Sequence, residues 1–218
     1  FIVDGQDQVT DPVGMFGQRI DTETHIITGA LTAIQNLSKC VEEAGVQVES
    51  IVLAPLAAAE AVLEEDEKQY GVVLADIGGG TTSIAVFAEG SVTHVGILPI
   101  GGYHLTHDLV AGIRAPFSVM EETKINCGSA IPSQIDSTET IELDAFGGQR
   151  QKEIPRRRIS EIIQARVEET FEMISLEMKQ AGLDNMLAAG MVLTGGTANL
   201  PGIDELAEQI LDSPVRIG

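Results

Sequence analysis

The chain has 218 residues, 44% of them hydrophobic, which is enough to bury a substantial core, and 33 acidic against 13 basic side chains give it a formal charge of −20. That charge repels nucleic acid, so no nucleic-acid partner is expected, and spread evenly it would repel an anionic membrane as well. No apolar run approaches the roughly 20 residues of a spanning helix, and no charged-then-apolar signal segment opens the chain, so the reading is a soluble, cytoplasmic protein.

In chain order, residues 30–44 place Ala30, Leu31, Ile34, Leu37, Val41 and Ala44 on one face and end at Gly45, which predicts a helix with a C′ glycine. Residues 48–53 read as a short strand, 55–63 as an alanine-rich helix, and the four acidic residues 64–67 as a solvated turn. The apolar run 71–75 has the length and composition of a buried strand. Residues 83–88 and 92–100 make two more, with a turn at Glu89 and Gly90. Helices are predicted over 103–113, with Leu105, Leu109 and Ile113 inward, and over 119–126. Residues 130–155, with Pro132, Pro155, Gly147 and Gly148 around the alternating segment 140–143, predict a small β insertion. Ile159, Ile162, Ile163, Val167, Phe171, Ile174 and Met178 form one apolar stripe and predict the longest helix. Strands and helices in this order fit an α/β layer fold. Cys40 and Cys127 stand far apart, and neither they nor His25, His94, His104 and His107 have zinc-ligand spacing.

Two glycine loops carry the chemistry. Residues 76–83 read Asp-Ile-Gly-Gly-Gly-Thr-Thr-Ser between two predicted strands. Gly78, Gly79 and Gly80 let the backbone pass close to a ligand with N–H groups inward, Thr81 and Thr82 add hydroxyls, and Asp76 at the strand tip could hold magnesium through water. This loop joins hairpin strands, unlike a P-loop or a Rossmann loop, each of which opens a helix. The second loop, Gly195, Gly196 and Thr197, follows a short strand and is predicted to open a helix whose inner face is Ile203, Leu206, Ala207 and Ile210, with its N–H groups and dipole facing a polar or anionic ligand. Glu121 and Lys124 stand one turn apart and can reach one ligand together. Taken alone, such a pair is far more often a surface ion pair; beside the two glycine loops the ligand reading is preferred.

Two such loops with different flanks resemble the actin-like ATPase superfamily, in which a hairpin loop holds the outer phosphates and a strand–loop–helix the adenosine. The segments 1–6, 11–15, 25–29, 76–83, Pro-Ile-Gly-Gly at 99–102 and Val-Leu-Thr-Gly-Gly-Thr at 192–197 resemble the bacterial cell-division family FtsA, in that family's order and along essentially the whole chain. The resemblance implies an actin-like (ribonuclease-H-like) ATPase fold. It assigns residues 1–29 to the end of the family's inserted subdomain, 30–70 to part of the first actin-like domain, and 71–218 to the second, with its smaller part at about 115–190. The absence of a phosphate hairpin before residue 70, and of the family's C-terminal amphipathic membrane helix, suggests an internal fragment.

The resemblance further implies ATP and magnesium as ligands, Asp76 on the catalytic and metal side, and the Glu121–Lys124 pair on ribose and base. Two departures bear on turnover. Ser83 stands where the family usually has a second aspartate, and Ala54 stands where chaperone relatives carry a water-positioning glutamate, so hydrolysis is expected to be slow at most. The implied function is an adaptor that polymerises at the inner face of the membrane at the division site and recruits FtsZ and later division proteins. The pilus-assembly adaptor PilM and the sugar-kinase or polyphosphatase branch are the alternatives. Arg150, Lys152, Arg156, Arg157 and Arg158 put five of the 13 basic residues within nine positions. Arg156, Arg157 and Arg158, with Arg166, are the expected site for the acidic FtsZ C-terminal peptide, the alternative being that they only pair with nearby glutamates. Charge reversal at Arg157 and Arg166 is expected to leave stability nearly unchanged.

Overall fold

The computed structural model describes every residue except 7, 8, 10, 23, 25, 145, 147–151 and 184–186. His25, Gly147, Gly148 and Arg150, named above, lie outside the described residues. The chain divides into two compact units, Phe1–Leu53 and Ala54–Gly218.

In the first unit, strands β1 (Ile2–Val3) and β2 (Ile20–Asp21) pair antiparallel. Asp4 turns the chain at φ 51°, and its carboxylate accepts the backbone N–H groups of Gln18 and Arg19 at 3.0 and 2.7 Å. Helix α1 (Leu31–Glu43) forms where the periodicity predicts it, and Gly45 follows in the left-handed region at φ +85°. None of its residues is buried, however, and Leu31 and Leu37 are 66% and 69% exposed. Residues 48–53 are not a strand. No strand lies beside them among the described residues, and a β segment without a ladder leaves its backbone groups to water.

The second unit is built on a five-stranded sheet. Its strands are β3 (Val72–Ile77), β4 (Thr82–Ala88), β5 (Ser91–Leu98), β8 (Met191–Thr194) and β9 (Val215–Ile217), in the spatial order β5-β4-β3-β8-β9. The hairpin strands β3, β4 and β5 run antiparallel, while β8 joins β3, and β9 joins β8, in parallel. Alternate residues of β3 feed two separate cores, which explains its continuous apolar run. Val73, Ala75 and Ile77 join a large core with Leu105, Leu109, Met120, Ile163, Phe171 and Ile174. Those side chains come from helices α4 (Gly102–Ile113), α5 (Phe117–Cys127) and α6 (Arg156–Gln180). Val72 and Leu74 join a smaller core with Ala59 and Leu63, at helix α2 (Ala54–Val62).

The acidic stretch after α2 is helix α3 (Glu65–Tyr70) rather than a turn. The Glu64 N–H donates to the Glu67 carboxylate at 2.8 Å, and three acidic side chains in the first turn suit the positive helix end. Strands β6 (Thr140–Leu143) and β7 (Lys152–Pro155) form the small antiparallel insertion ahead of α6. Helix α7 (Ile203–Leu211) buries Ile203, Leu206 and Ala207.

Candidate functional site

The site forms where β3 and β8 end and α4 begins. In the β3–β4 ladder Asp76 pairs with Ser83, and in the parallel ladder with Thr194, so the three polar side chains share one face at the sheet's tip. This is the α2 face, since Val72, Leu74 and Val192 alternate with them on the same side. The Asp76 carboxylate makes no hydrogen bond among the described residues and is half-buried.

Beyond the strand, the hairpin loop is clipped to α4 by main-chain bonds. Gly102 N–H donates to Gly78 O at 2.9 Å and Tyr103 N–H to Gly79 O at 2.7 Å. The first two amides of α4 are therefore spent on the loop. Gly101 has to be small here, because a Cβ would come 2.7 Å from Gly78 O and 2.8 Å from Gly79 O, and neither carbonyl can swing away without opening the turn. The Gly78 N–H is itself used, donating to Thr81 O at 2.9 Å, which leaves the N–H groups of Gly79 and Gly80 without partners among the described residues. Thr82 differs from the expectation that its hydroxyl faces a ligand. Its alternation in β4 turns it into the large core, where it is fully buried and donates to Ile100 O at 2.8 Å.

The second glycine loop meets the first. The Thr197 hydroxyl donates to Gly78 O at 3.0 Å, so one carbonyl holds two donors from two distant segments. Gly195 occupies φ +87°, ψ 169°, and a Cβ there would strike the Asp76 carboxylate and stand 2.7 Å from Ile77 O. Only glycine fits such a position. Gly196 by contrast has open space where a Cβ would go. The loop does not open a long helix, as the sequence predicts, but a single 3₁₀ turn, Gly196–Asn199. Pro201 and the left-handed Gly202 then redirect the chain before α7 starts at Ile203, so the α7 dipole is not at this loop.

Between the loops lies a cavity of about 360 Å³. Gly79, Gly102 and Tyr103 line one end, Gly196 and Thr197 another, and Ile125, Leu200 and Pro201 give it an apolar wall. Glu121 and Lys124 complete it from α5. Lys124 Nζ donates to Glu121 at 2.8 Å, Thr106 Oγ1 at 3.0 Å and Gly102 O at 3.1 Å, and so is fixed rather than waving in solvent. Burial pushes the Glu121 carboxyl up, but the Lys124 ammonium and the Thr106 hydroxyl outweigh it and hold the group below the ordinary carboxylate value. At neutral pH it is an ionised acceptor on the cavity wall.

The structure thus brings Gly79, Glu121, Lys124, Gly196 and Thr197 to one cavity. Gly78 and Gly195 support it from behind, and Asp76 sits at the strand tip beside Gly195. Sequence reasoning missed Tyr103 and Thr106. Their position one turn apart, directly after the Gly101–Gly102 pair, was the available signal. The four arginines lie elsewhere. Arg156 holds Glu139 at 2.7 Å and Cys127 O at 2.9 Å, while Arg158 reaches Glu161 at 3.3 Å and Arg157 stands 4.0 Å from the same carboxylate. Arg166 bridges α6 to α4 through both oxygens of Asp108, at 2.9 Å on one arm, and also pairs with Glu169. The Asp108 hydrogen bonds raise the Arg166 pKa above its ordinary value. Reversing Arg166 would therefore set a third carboxylate beside two, contrary to the expectation of unchanged stability.

A sheet of this order with glycine loops at its tip defines the actin-like ATPase fold, and solved structures agree. MreB5 of Spiroplasma citri bound to ADP superposes with a TM-score of 0.74 at 20% identity, over 87% of this chain and 61% of that one. The MamK double helical filament gives 0.63 at 17%, over 87% and 61%. Within that class, the family model described as Cell division protein FtsA matches residues 73–218, and the model described as the SHS2 domain inserted in FtsA matches residues 1–28. The chain belongs to the FtsA family. FtsA of Pseudomonas aeruginosa is 40% identical over 218 residues, covering all of this chain and 52% of the relative, and FtsA of Bacillus subtilis is 42% identical over 217 residues, covering all of this chain and 49% of the relative. The chain spans about half the length of the curated relatives it matches.

Proposed function

We propose that the protein carrying this chain is an ATP-binding, actin-like cell-division adaptor that assembles with copies of itself at the inner face of the membrane and recruits FtsZ and later division proteins. The observation that carries the nucleotide part is the convergence of both glycine loops and the Glu121–Lys124 pair on one cavity of about 360 Å³, within the usual range for small-molecule sites. The residues fit the ligand. The bare amides of Gly79 and Gly80 suit phosphate oxygens, the ionised Glu121 accepts from ribose hydroxyls, and the apolar wall of Ile125, Leu200 and Pro201 suits a base. Asp76 would hold magnesium through water. Bound ATP with magnesium would supply the anhydride chemistry. This chain's residues bind and orient it, and with serine at 83 and alanine at 54 they offer no obvious group to position an attacking water. Hydrolysis is accordingly slow, and ATP serves as an assembly ligand.

The partner part rests on family membership and on the basic cluster Arg156, Arg157 and Arg158, the one concentration of positive charge on a very acidic chain. Arg166, committed to Asp108 and Glu169, has the least freedom of the four to meet a peptide. Membrane attachment would use the amphipathic helix that the family carries beyond the segment matched here. Calorimetry on the full-length protein tests the site. Asp76→Ala should weaken magnesium-dependent ATP binding, and Gly196→Val should block it by filling the space now open beside Gly196. Unaltered affinity in both variants would refute the assignment.

A further inference from the structure

We propose that Tyr103 contacts the nucleotide directly, its ring walling the phosphate end of the cavity and its hydroxyl donating to a phosphate oxygen. This rests on the nucleotide reading above and adds a side chain to a site otherwise made largely of backbone. Tyr103 is the second residue of α4, and its own N–H is fixed to Gly79 O at 2.7 Å, so the side chain has a defined root on the phosphate loop. The ring lies over the second glycine of that loop. A Cβ on Gly79 would meet Tyr103 Cε2 and Cζ at 3.4 Å, so the far edge of the ring, the edge that bears the hydroxyl, is the part against the loop.

Two further contacts hold the ring at that angle. It meets Phe117 edge-on with centroids 6.1 Å apart, and Phe117 is braced in turn by His107 at 5.2 Å. An aromatic ring held in this way loses little freedom when a ligand arrives. Tyr103 nevertheless remains 54% exposed and lines the cavity. Its hydroxyl makes no hydrogen bond among the described residues, on a ring edge that packs against Gly79. A donor without a partner, on a ring edge packed against the loop that carries two bare amides, adds a side-chain donor to an anion cradle otherwise built from backbone.

The test separates this proposal from the reading beneath it. Binding of ATP, ADP and adenosine to the full-length protein is measured by competition against a fluorescent ATP analogue, for wild type and Tyr103→Phe. Phenylalanine keeps the ring and its contact with Phe117, and it removes only the hydroxyl, so thermal unfolding should not change. The expected result is about a tenfold loss for ATP and ADP, equivalent to about 1.4 kcal/mol, with adenosine affinity unchanged. Equal ATP affinity in wild type and Tyr103→Phe overturns the role of the hydroxyl while leaving the nucleotide site intact. A loss that is the same for adenosine as for ATP overturns its assignment to phosphate. A wild-type protein that binds none of the three overturns the nucleotide reading itself.

Discussion

Gly195 and Gly196 are neighbours in one loop, yet the structure predicts opposite consequences for the same substitution. Gly195 sits at φ +87°, ψ 169°, a region that side-chain-bearing residues reach only at a cost of about 1–3 kcal/mol. A methyl group there also comes 2.7 Å from Ile77 O and 2.9 Å from Ile77 C, atoms of the central strand that cannot rotate aside, and overpacking of this kind adds about 1–3 kcal/mol. Gly195→Ala should therefore cost about 2–6 kcal/mol, by prising β8 away from β3 at their tips. For a unit of this size that lowers the unfolding midpoint by about 5–20 °C. Gly196→Ala, with no atom within 4 Å of the added carbon, should stay within about 0.5 kcal/mol. Urea and thermal unfolding of the two variants, followed by far-UV circular dichroism, read the difference. If Gly195→Ala unfolds together with Gly196→Ala, the backbone at Gly195 is not strained as described and the close approach of the two strand tips is wrong.

Three other outcomes follow from the same geometry. Steady-state phosphate release by the full-length protein should fall far below the enzyme median of about 10 per second, and Ala54→Glu should raise it; rapid release by the wild type would contradict the adaptor reading. Arg157→Glu, at an exposed arginine whose nearest carboxylate is 4.0 Å away, should lower affinity for an FtsZ C-terminal peptide in a salt-sensitive manner without moving the thermal midpoint. Fluorescence anisotropy showing equal binding would make the patch structural. Arg216 grips Glu67 with both arms at 2.7 Å and holds that carboxyl below its ordinary value of 4.5. The folded-state pKa is lowered, so the stabilisation is present above about pH 4.5 and is lost as pH falls through the lower folded value. Glu67→Gln should therefore lower stability at neutral pH and converge with wild type in acid. A constant gap from pH 7 to about pH 3 would refute the pairing.

Much of the fold was legible because its signals are local. The hairpin strands, α4, α5 and α6 announce themselves by apolar period and by turn glycines, and both glycine loops are plain in the sequence. Where reading failed, a non-local partner decided the outcome. Residues 48–53 have strand composition but, among the described residues, no strand to pair with, and the stripe on α1 predicts burial, whereas none of the helix's residues is buried. Thr82 belongs to a loop motif by sequence, yet the parity of β4 turns its hydroxyl into the core. Residues 64–67 read as a solvated turn, and Glu64, Glu65 and Asp66 are indeed exposed. They nevertheless start a helix, whose capping bond from Glu64 to Glu67 and whose Arg216 fork depend on geometry and on a residue 149 positions away. Tyr103 escaped notice for a similar reason. Its significance lies in which backbone its ring covers, and Gly79 is 24 positions earlier in the chain.

The double acceptor at Gly78 O has a consequence for the order in which the molecule is made. Its bond from Gly102 closes soon after the β3–β5 hairpins form, because all the participants lie within about 30 residues of one another, and local contacts of that kind form early. Its bond from Thr197 spans 119 residues and goes with the parallel pairing of β3 with β8, a long-range contact that closes a loop containing the whole of α6 and is expected to form later. The side of the cavity at Gly79, Gly102 and Tyr103 thus needs only the hairpins and the start of α4, the side at Glu121 and Lys124 needs α5, and the side at Gly196 to Pro201 exists only when the sheet is complete. A nucleotide that needs all these sides would bind no earlier species, so during refolding the appearance of binding would mark the last long-range closure. Saturating ligand would then act on the unfolding rate of the finished sheet and leave hairpin formation untouched.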